Sequence, residues 1–404
     1  SKGVYQIPYR CYVTPDLDNL FVGGRIISSS HVANGTTRVM CTSALGGEGI
    51  GRAASICLSK GYKPIDLVDR DRIGLLQSLL VKNGNFIPGI AVAVEDNLAD
   101  SAEISVSSVL ELDDLPADGT WFGLDYPIAQ LIPVNGKVPV VRMNVKADNA
   151  TRLVMELRSS SKSENYTPDT IDAVLEFDLK KDENEIVADF SYSYATPRYA
   201  FICLMKNPEI SVPMSGRLVT GLTAVYNYIN PAVSNFGKQV PPEGIGVEEF
   251  EFWCPKRRPE SKNIAMSFAP SLASFNSENL RNSYYRPYIG TNAWVAAFDD
   301  ARPEVCFKWN GRKQIKTIIL YFDTDTDQAM ETVQMGHFDA CVPTCYREYI
   351  IRNSEGKELY HITGNHQTLN VLELDQPVTT DAIYVNFVRP CGDVCPGLMG
   401  VYVC

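Results

Sequence analysis

The stretch that decides how this chain is interpreted runs from Asn19 to Gly61, NLFVGGRIISSSHVANGTTRVMCTSALGGEGIGRAASICLSKG. It opens with a short apolar run, residues 20–22, that ends in glycines, a pattern typical of a buried strand. From Thr42 the pattern predicts a helix ending at Gly61, where a C-cap glycine is expected, with Pro64 beyond it. The stretch therefore predicts a strand, a polar loop and a helix.

The predicted helix carries glycines on one face. Gly47 and Gly51 lie one turn apart and so point the same way. A glycine inside a helix costs about 1 kcal/mol relative to alanine, so two on one face need a physical reason. Their small size predicts that either a neighbouring strand or a flat ligand approaches the helix backbone there. The spacing alone leaves both explanations open and favours simple packing.

Several short motifs in this region resemble the C-terminal end of the FAD-binding domain of bacterial FAD-dependent oxidoreductases. The resemblance rests on Ile7–Arg10, Asp18–Ser28, His31, Gly35, Arg38–Met40, Thr42, Gly47 and Gly51. It implies that the chain returns to the flavin domain through the strand Tyr5–Val13 and continues into a strand ending in Gly24 and Arg25. It also implies a helix whose N-terminus faces the flavin, and a flavin region that ends near Pro88.

The resemblance assigns a cofactor role to a set of glycines and one arginine: Gly23, Gly24, Arg25, Gly35, Gly46, Gly47, Gly49 and Gly51. Free N–H groups at a helix N-terminus suit the flavin edge where negative charge develops on reduction. His31 and Arg38 flank the loop and are the candidate catalytic residues. Two alternatives remain open: Arg38 pairs with a nearby carboxylate, and His31 is an ordinary loop histidine.

One unit of such flavoproteins has no counterpart in this sequence. They hold the pyrophosphate with a strand, a G-x-G-x-x-G turn and a helix. The nearest match, Gly49, Gly51 and Ala54, lies inside the predicted helix and is discounted. The chain is therefore expected to be a C-terminal fragment of an enzyme that transfers a hydride from an unknown substrate to FAD. Without the N-terminal part as its partner, it is expected to bind FAD poorly or not at all.

Length and composition predict a folded protein of two or three domains. The chain has 404 residues, of which 45% are hydrophobic and 21% charged, as is ordinary for globular proteins. A net charge of −11 argues against nucleic acid as a partner. No apolar run approaches the roughly 20 residues of a membrane helix. The localisation is left open, a bacterial periplasmic or extracytoplasmic place included.

The rest of the chain predicts antiparallel β structure. Short apolar runs separated by turn residues, such as Val138–Val145, are typical of β-sandwiches. Residues 97–108 and the runs 292–295, 305–309 and 315–322 resemble galactose-binding-like domains. The predicted fold class is mainly β (α+β overall): a small α/β remnant of an FAD-binding domain at 1–90, then two antiparallel β-sandwiches of galactose-binding-like type at 91–254 and 262–404.

Two features of the predicted sandwiches suggest ligands. The aromatic segment Tyr284–Tyr288 could stack on a sugar ring or cover a hydrophobic seam; the alternative function is therefore a non-catalytic carbohydrate-binding or scaffolding module. Asp323, Asp325 and Asp327 alternate as in a calcium loop, but the glycine and glutamate of an EF-hand are missing. A solvated turn is the other explanation of that run.

Cysteines cluster near the C-terminus: Cys341, Cys345, Cys391, Cys395 and Cys404. Two C-x3-C pairs, with His361 and His366 between them, permit a zinc site. Disulfides and free buried thiols are the other two explanations, and the β-rich context favours them because it needs no metal to close a core.

Overall fold

The computed structural model describes residues 4–91, 97–162, 167–228, 237–240, 243–244, 250–256, 261–325 and 342–404. The chain divides into two compact units, Val4–Glu95 and Asp96–Cys404. The described α-helices all lie in the first unit and the described strands all lie in the second. The predicted fold class, mainly β with a small helical part, is confirmed. In the part of the chain that is described, no helix is both long enough and apolar enough to cross a membrane.

Three α-helices form the described core of the N-terminal unit: α1 (His31–Thr37), α2 (Met40–Lys60) and α3 (Arg70–Lys82). The predicted helix is α2, and it ends as expected, because Gly61 has φ 69° and its N–H donates to the Cys57 carbonyl. Short 3-10 helices cover Tyr9–Tyr12, Gly24–Ile26 and Pro64–Val68. Buried side chains from α2 and α3 pack together with that of Leu67 between them.

The two strands predicted at residues 5–13 and 20–22 are not formed. A single bridge joins Val13 to Phe21, and 3-10 turns occupy much of the remaining stretch. A strand needs a neighbour along its whole length to pair its backbone groups. The apolar run predicted a buried strand, but Phe21 is only partly buried and Leu20 is 39% exposed. Within residues 4–91 no further strand supplies that neighbour.

The strands of the second unit are numbered in chain order. They are β1 (Glu103–Val106), β2 (Leu112–Leu115), β3 (Trp121–Leu124), β4 (Ile128–Val134), β5 (Val140–Ala147), β6 (Thr151–Ser159), β7 (Thr170–Leu179), β8 (Asp182–Ala188), β9 (Arg198–Leu204), β10 (Asn207–Ser215), β11 (Ala224–Tyr226), β12 (Gly237–Gln239), β13 (Phe250–Phe252), β14 (Cys254–Pro255), β15 (Asn263–Ile264), β16 (Met266–Leu272), β17 (Trp294–Val295), β18 (Glu304–Phe322), β19 (Tyr346–Asn353), β20 (Glu358–Ile362), β21 (Leu369–Pro390) and β22 (Gly397–Val403).

The middle sandwich is built from two antiparallel sheets. One has the order β15-β10-β5-β16-β2, with β3 beside β10 and β8 beside β5; the other has the order β14-β11-β4-β9-β6-β7. In β5 the side chains alternate between buried Val141, Met143 and Val145 and exposed Arg142 and Asn144. This is the period of a strand with one face in a core.

A buried amide joins the two sheets. Gln130 on β4 is fully buried, and its Oε1 accepts a hydrogen bond of 2.8 Å from the Ile264 N–H on β15. Its Nε2 donates to the Asn263 Oδ1 at 3.1 Å and to the Leu131 carbonyl at 3.1 Å. Because a buried polar group without a partner is costly, this side chain fixes how β15 meets the other sheet.

Replacing Gln130 by leucine is expected to lower the free energy of unfolding by about 1–3 kcal/mol. The Ile264 N–H and the side-chain Oδ1 of Asn263 would lose their hydrogen-bond partner inside the core. Urea unfolding followed by tryptophan fluorescence measures it. Gln314→Leu, at an exposed strand position, is the control and should leave the transition unchanged. Equal stability of Gln130→Leu and the natural protein would contradict the role of this amide.

The C-terminal sandwich is made largely by two long strands that bend. The pairing of β18 with β21 is interrupted between Lys308 and Lys313 and again between Ile315 and Thr317. Val305 and Phe307, before the bend, and Ile318 and Leu320, after it, all belong to one buried cluster. The two halves of these strands therefore face each other across a common core. Val305, Phe307 and Trp309, at alternate positions, all belong to this cluster.

Strand pairing divides the two sandwiches differently from the predicted boundaries at 91–254 and 262–404. Strand β1 pairs with the start of β18, with Ile104 opposite Phe307, and Ala99 and Ala102 lie in the core of the C-terminal sandwich. Strand β16 pairs with β5 and β2 of the middle sandwich. The middle sandwich is thus inserted between β1 and the rest of the C-terminal sandwich, which local sequence patterns do not reveal.

Candidate functional site

The glycines of α2 fall into two groups by what surrounds them. A Cβ atom on Gly46 would meet the Tyr12 hydroxyl at 2.8 Å, so this glycine serves packing inside the chain. A Cβ on Gly47, Gly49 or Gly51 would meet no described atom within 4 Å. Packing within the described chain therefore explains Gly46 and leaves the other three unexplained. Space beside these three is what a close ligand or a further protein segment would need.

The N-terminal end of α2 is left open as well. Its N-cap residue, Val39, supplies no side-chain hydrogen bond to the free N–H groups of the first turn, which normally take such a partner. Close by in sequence, Thr37 is only 6% exposed, and its Oγ1 has no hydrogen-bond partner among the described residues. Buried hydroxyls almost always have a partner, so an acceptor or donor is missing from this place. The sequence carried no signal for Thr37.

Gly24 and its neighbours form the turn that precedes α1. Gly24 has φ 65°, a conformation that disfavours any other residue, and open space beside it. A Cβ on Gly23 would approach Ile50 of α2 to 3.0 Å, so Gly23 lets this turn lie against the helix. Arg25 is exposed, and its guanidinium makes no hydrogen bond or ion pair with the described residues.

The two candidate catalytic residues lie at opposite ends of α1. His31 begins the helix, behind Ser30, whose Oγ accepts from the Ala33 N–H at 3.3 Å. Arg38 is the C-cap residue of the same helix, and both side chains are exposed. Within the described residues Arg38 has no carboxylate partner. Gly35 lies inside α1 with open space around it.

Apolar side chains are exposed around these glycines. Met40 is 87% exposed, and Ile26, Val32, Val39 and Leu45 are exposed too. Single exposed apolar residues are ordinary, but a group of them on one small unit indicates a surface that another structure covers. The buried cluster formed by α2, α3 and Leu67 is small, with four fully buried members, which agrees with that inference.

The proposed calcium loop lies where the two sandwiches meet. Asp323 and Asp325 are both buried; the Asp323 Oδ2 accepts from Thr220 Oγ1 at 2.7 Å, and its Oδ1 accepts from the Asp325 N–H at 2.7 Å. Asp327 lies outside the described residues. No three metal-ligating side chains converge in the described part of the chain. Asp323 thus ties the turn of the middle sandwich to the end of β18.

The aromatic segment Tyr284–Tyr288 mainly covers a seam. The Tyr285 ring stacks on Tyr321 with 3.5 Å between centroids, and it lies so close to Gly400 that no side chain fits there. Burial raises the pKa of Tyr285 far above its usual value. Tyr284 and Tyr288 pair with centroids 5.2 Å apart and stay half-buried.

The C-terminal cysteines do not form a zinc site among the described residues. Cys345 and Cys395 are free thiols, Cys391 is disulfide-bonded, and Cys341 lies outside the described residues. His361 binds Glu348 instead, with 3.0 Å between Nε2 and Oε1. Burial raises the pKa of Cys345 and of Cys395 to about 12, so both thiols stay protonated.

Comparison with known proteins gives one family match and a group of similar solved structures. The family described as FAD dependent oxidoreductase matches residues 1–80. No curated protein matches the chain.

Among solved structures, the chain is similar to chitosan-binding module 1 of a chitosanase/glucanase from Paenibacillus sp. IK-5, with 12% identity, 33% of this chain and 86% of that chain covered, and a TM-score of 0.24. It is also similar to the family 32 carbohydrate-binding module of Streptococcus pneumoniae EndoD, with 11% identity, 32% and 86% covered, and a TM-score of 0.25. A third is the family 32 module of C. perfringens NanJ in complex with galactose, with 9% identity, 32% and 85% covered, and a TM-score of 0.24.

Proposed function

We propose that the Val4–Glu95 unit forms one wall of the flavin site of an FAD-dependent oxidoreductase, and that the sandwiches are accessory domains. The observation that carries the proposal is the open face of α2 with Gly47, Gly49 and Gly51. The family match over residues 1–80 supports the same conclusion. Bound FAD would accept a hydride from a reduced substrate; the protein would supply position and electrostatics.

Each part of this wall has a proposed role. The first turn of α2 presents uncapped N–H groups, which stabilise negative charge at a helix N-terminus. Gly24 lets the cofactor approach the backbone of the turn that precedes α1. Arg25 offers an unpaired positive charge for the phosphate groups. His31 and Arg38 are proposed to contact substrate or the flavin edge, since both side chains are exposed. Thr37 Oγ1 is proposed to gain its missing hydrogen bond when the site is filled.

The remainder of the site is proposed to come from another polypeptide segment. FAD needs a strand–turn–helix unit for its pyrophosphate, and no glycine-rich turn of that kind follows a described strand in this chain. That segment would also cover the exposed apolar side chains beside α2. Calcium is not part of the proposal, because both Asp323 carboxylate oxygens already accept hydrogen bonds from the protein.

The natural protein that includes this further segment is expected to be yellow, with flavin absorbance near one FAD per molecule. Gly47→Leu is expected to remove most of that flavin, because the side chain fills the space beside α2. Gly74→Leu, in α3 and likewise with open space at its Cβ, is the control and should keep the flavin. Leucine favours helix over glycine by roughly 1 kcal/mol, so neither change should unfold its helix.

Two outcomes would contradict the proposal in different ways. A colourless natural protein would exclude the flavoenzyme. Full flavin content in Gly47→Leu would show that the flavin lies elsewhere and not beside this face of α2. Flavin absorbance and thermal melting of the same samples give both readings.

We propose for the sandwiches a second function, carbohydrate binding, as in the similar chitosan-binding and family 32 carbohydrate-binding modules. The observation in favour is that several aromatic rings on the sandwiches are partly exposed, Phe298 and Trp121 among them, and such rings stack on sugars. An array of immobilised glycans probed with the full chain tests it; no retention on any glycan would contradict it.

A further inference from the structure

A cationic side chain and an aromatic ring meet where the two sandwiches join. The Arg217 guanidinium carbon lies 4.1 Å from the centre of the Phe298 ring. Arg217 follows β10 of the middle sandwich, and Phe298 follows β17 of the C-terminal sandwich. Phe298 is 41% exposed, so the ring remains available to a further partner.

The guanidinium of Arg217 keeps its hydrogen-bonding capacity free. Among the described residues no side chain or carbonyl accepts a hydrogen bond from it, and no carboxylate pairs with it. Its backbone is nevertheless fixed, because the Arg217 carbonyl accepts from Asn263 Nδ2 at 2.9 Å and its N–H donates to Ser215 Oγ at 3.3 Å. A guanidinium carries five donors in a planar fork. An arginine that served only to join the sandwiches would be expected to use some of them.

Asp114 lies within electrostatic range of Arg217, and three further carboxylates lie within range of Cys395, on which Arg217 also acts. The half-buried Asp114 has its pKa raised by burial, with Arg217 acting in the opposite direction. Burial raises the pKa of the Cys395 thiol, Arg217 acts to lower it, and Asp393, Asp300 and Asp299 act to raise it further. The Asp300 carboxylate accepts hydrogen bonds from the hydroxyls of Ser107 and Ser108. Asp299 and Asp393 are exposed and have no side-chain partner among the described residues.

The balance of charge selects the ligand. Because one guanidinium is outnumbered by carboxylates, the electrostatic potential around Arg217 and Phe298 is negative, which disfavours an anionic ligand. Hydroxyl groups can both accept from the guanidinium and donate to carboxylates, while a ring face packs on Phe298. A neutral or cationic ligand rich in hydroxyls satisfies all three kinds of group at once.

The two sandwiches are held rigidly beside this place. Thr220, three residues after Arg217, donates to Asp323 of the other sandwich at 2.7 Å. A Cβ on Gly397 would come within 2.6 Å of the Thr220 hydroxyl, so the two segments touch without room for a side chain. The groups from both sides are therefore positioned before any ligand arrives, which reduces the entropic cost of binding.

We infer that Arg217, Phe298, Asp299 and Asp393 form a sugar-binding site between the two sandwiches, selective for neutral or amino sugars over uronic acids. The inference rests on the carbohydrate-binding function proposed above and gives it a location. Neither sandwich would bind this way alone, because the guanidinium comes from one and the ring from the other.

The test is the full chain on an array carrying galactose, N-acetylgalactosamine, glucosamine and glucuronic acid. Arg217→Met and Phe298→Ala are each expected to weaken binding about tenfold or more, since a charged hydrogen bond or a stacked ring is lost. Arg217→Lys keeps the charge and is also expected to weaken binding, because it lacks the planar fork. Arg198→Met, which removes an arginine 5.2 Å from the centre of the buried Tyr194 ring, is the matched control and should bind as the natural protein does.

The outcomes separate this site from the broader function. A natural chain that retains no sugar contradicts carbohydrate binding as a whole. A chain that binds sugar while Arg217→Met and Phe298→Ala bind equally well contradicts only the location. Tighter binding of glucuronic acid than of glucosamine overturns the selectivity. Near-ultraviolet circular dichroism of each variant establishes that the junction remains folded.

Discussion

Replacing Arg158 by alanine is expected to lower the free energy of unfolding of the middle sandwich by about 3–5 kcal/mol. Arg158 on β6 is 8% exposed, and its Nε donates to Glu156 Oε2 at 2.5 Å. The same guanidinium lies 3.4 Å from Glu251 Oε2. Removing the cation would leave the carboxylates of Glu156 and Glu251, which are partly shielded from water, without their counter-charge.

Glu251 makes the effect reach beyond one strand. Its Oε2 also accepts from the Trp253 indole N–H at 3.0 Å and from the Asn227 amide at 3.3 Å. Trp253 is fully buried over the outer face of the β4–β9 sheet. Loss of Arg158 would therefore also loosen the segment that covers this face, which Trp253 fluorescence reports directly.

Arg152 provides a matched control on the same strand. It too pairs with two carboxylates, Glu176 at 2.7 Å and Asp178 at 2.9 Å, but all three side chains are more than half exposed. Water and salt screen such pairs, so Arg152→Ala is expected to leave the urea midpoint unchanged. Similar losses in the two variants would contradict the argument from burial.

Replacing Gly221 by alanine is expected to lower the free energy of unfolding by about 2–5 kcal/mol, from two costs at one position. Gly221 has φ 78° in a turn closed by a 3.1 Å hydrogen bond from the Leu222 N–H to the Val219 carbonyl. A Cβ would also lie 2.9 Å from Thr291 Cγ2 and 2.9 Å from the Tyr199 hydroxyl. Both the left-handed backbone and the clash oppose the new methyl group.

Gly136→Ala separates the two costs. Gly136 has φ 81° but nothing within 4 Å of its Cβ position, so only the backbone cost of about 1–2 kcal/mol applies. Urea unfolding of both variants measures the difference. If Gly136→Ala and Gly221→Ala lose the same stability, the close approach of Thr291 has no energetic consequence.

Local signals explain which elements the sequence could predict. The small residues, the C-cap Gly61 and the apolar spacing of α2 all lie within one segment, so the helix was predictable. The alternation around Phe307 is likewise local to one segment, and Phe307 lies in the core. The predicted strand at residues 20–22 failed because a strand depends on a neighbour elsewhere in the chain, and its own residues cannot show whether one exists.

Non-local pairs explain what the sequence could not predict. Arg158 and Glu251 are 93 positions apart, and nothing in either segment indicates the other. The same holds for Thr37, whose buried hydroxyl is recognised only from its surroundings. At the candidate flavin face, the sequence identified the glycines, but only the structure separates Gly46, filled by Tyr12, from Gly47, which is open.

The insertion of the middle sandwich has a consequence for how the protein is made. As the chain leaves the ribosome, Glu103–Val106 emerges about 200 residues before its partner in β18. Domains generally fold as units during synthesis, so the inserted sandwich would be complete while that early strand still waits with its backbone unpaired. Such an exposed strand is a template for wrong pairing. A polypeptide beginning at Lys262 would lack this strand altogether, and would leave Phe307 and its neighbours without their cover.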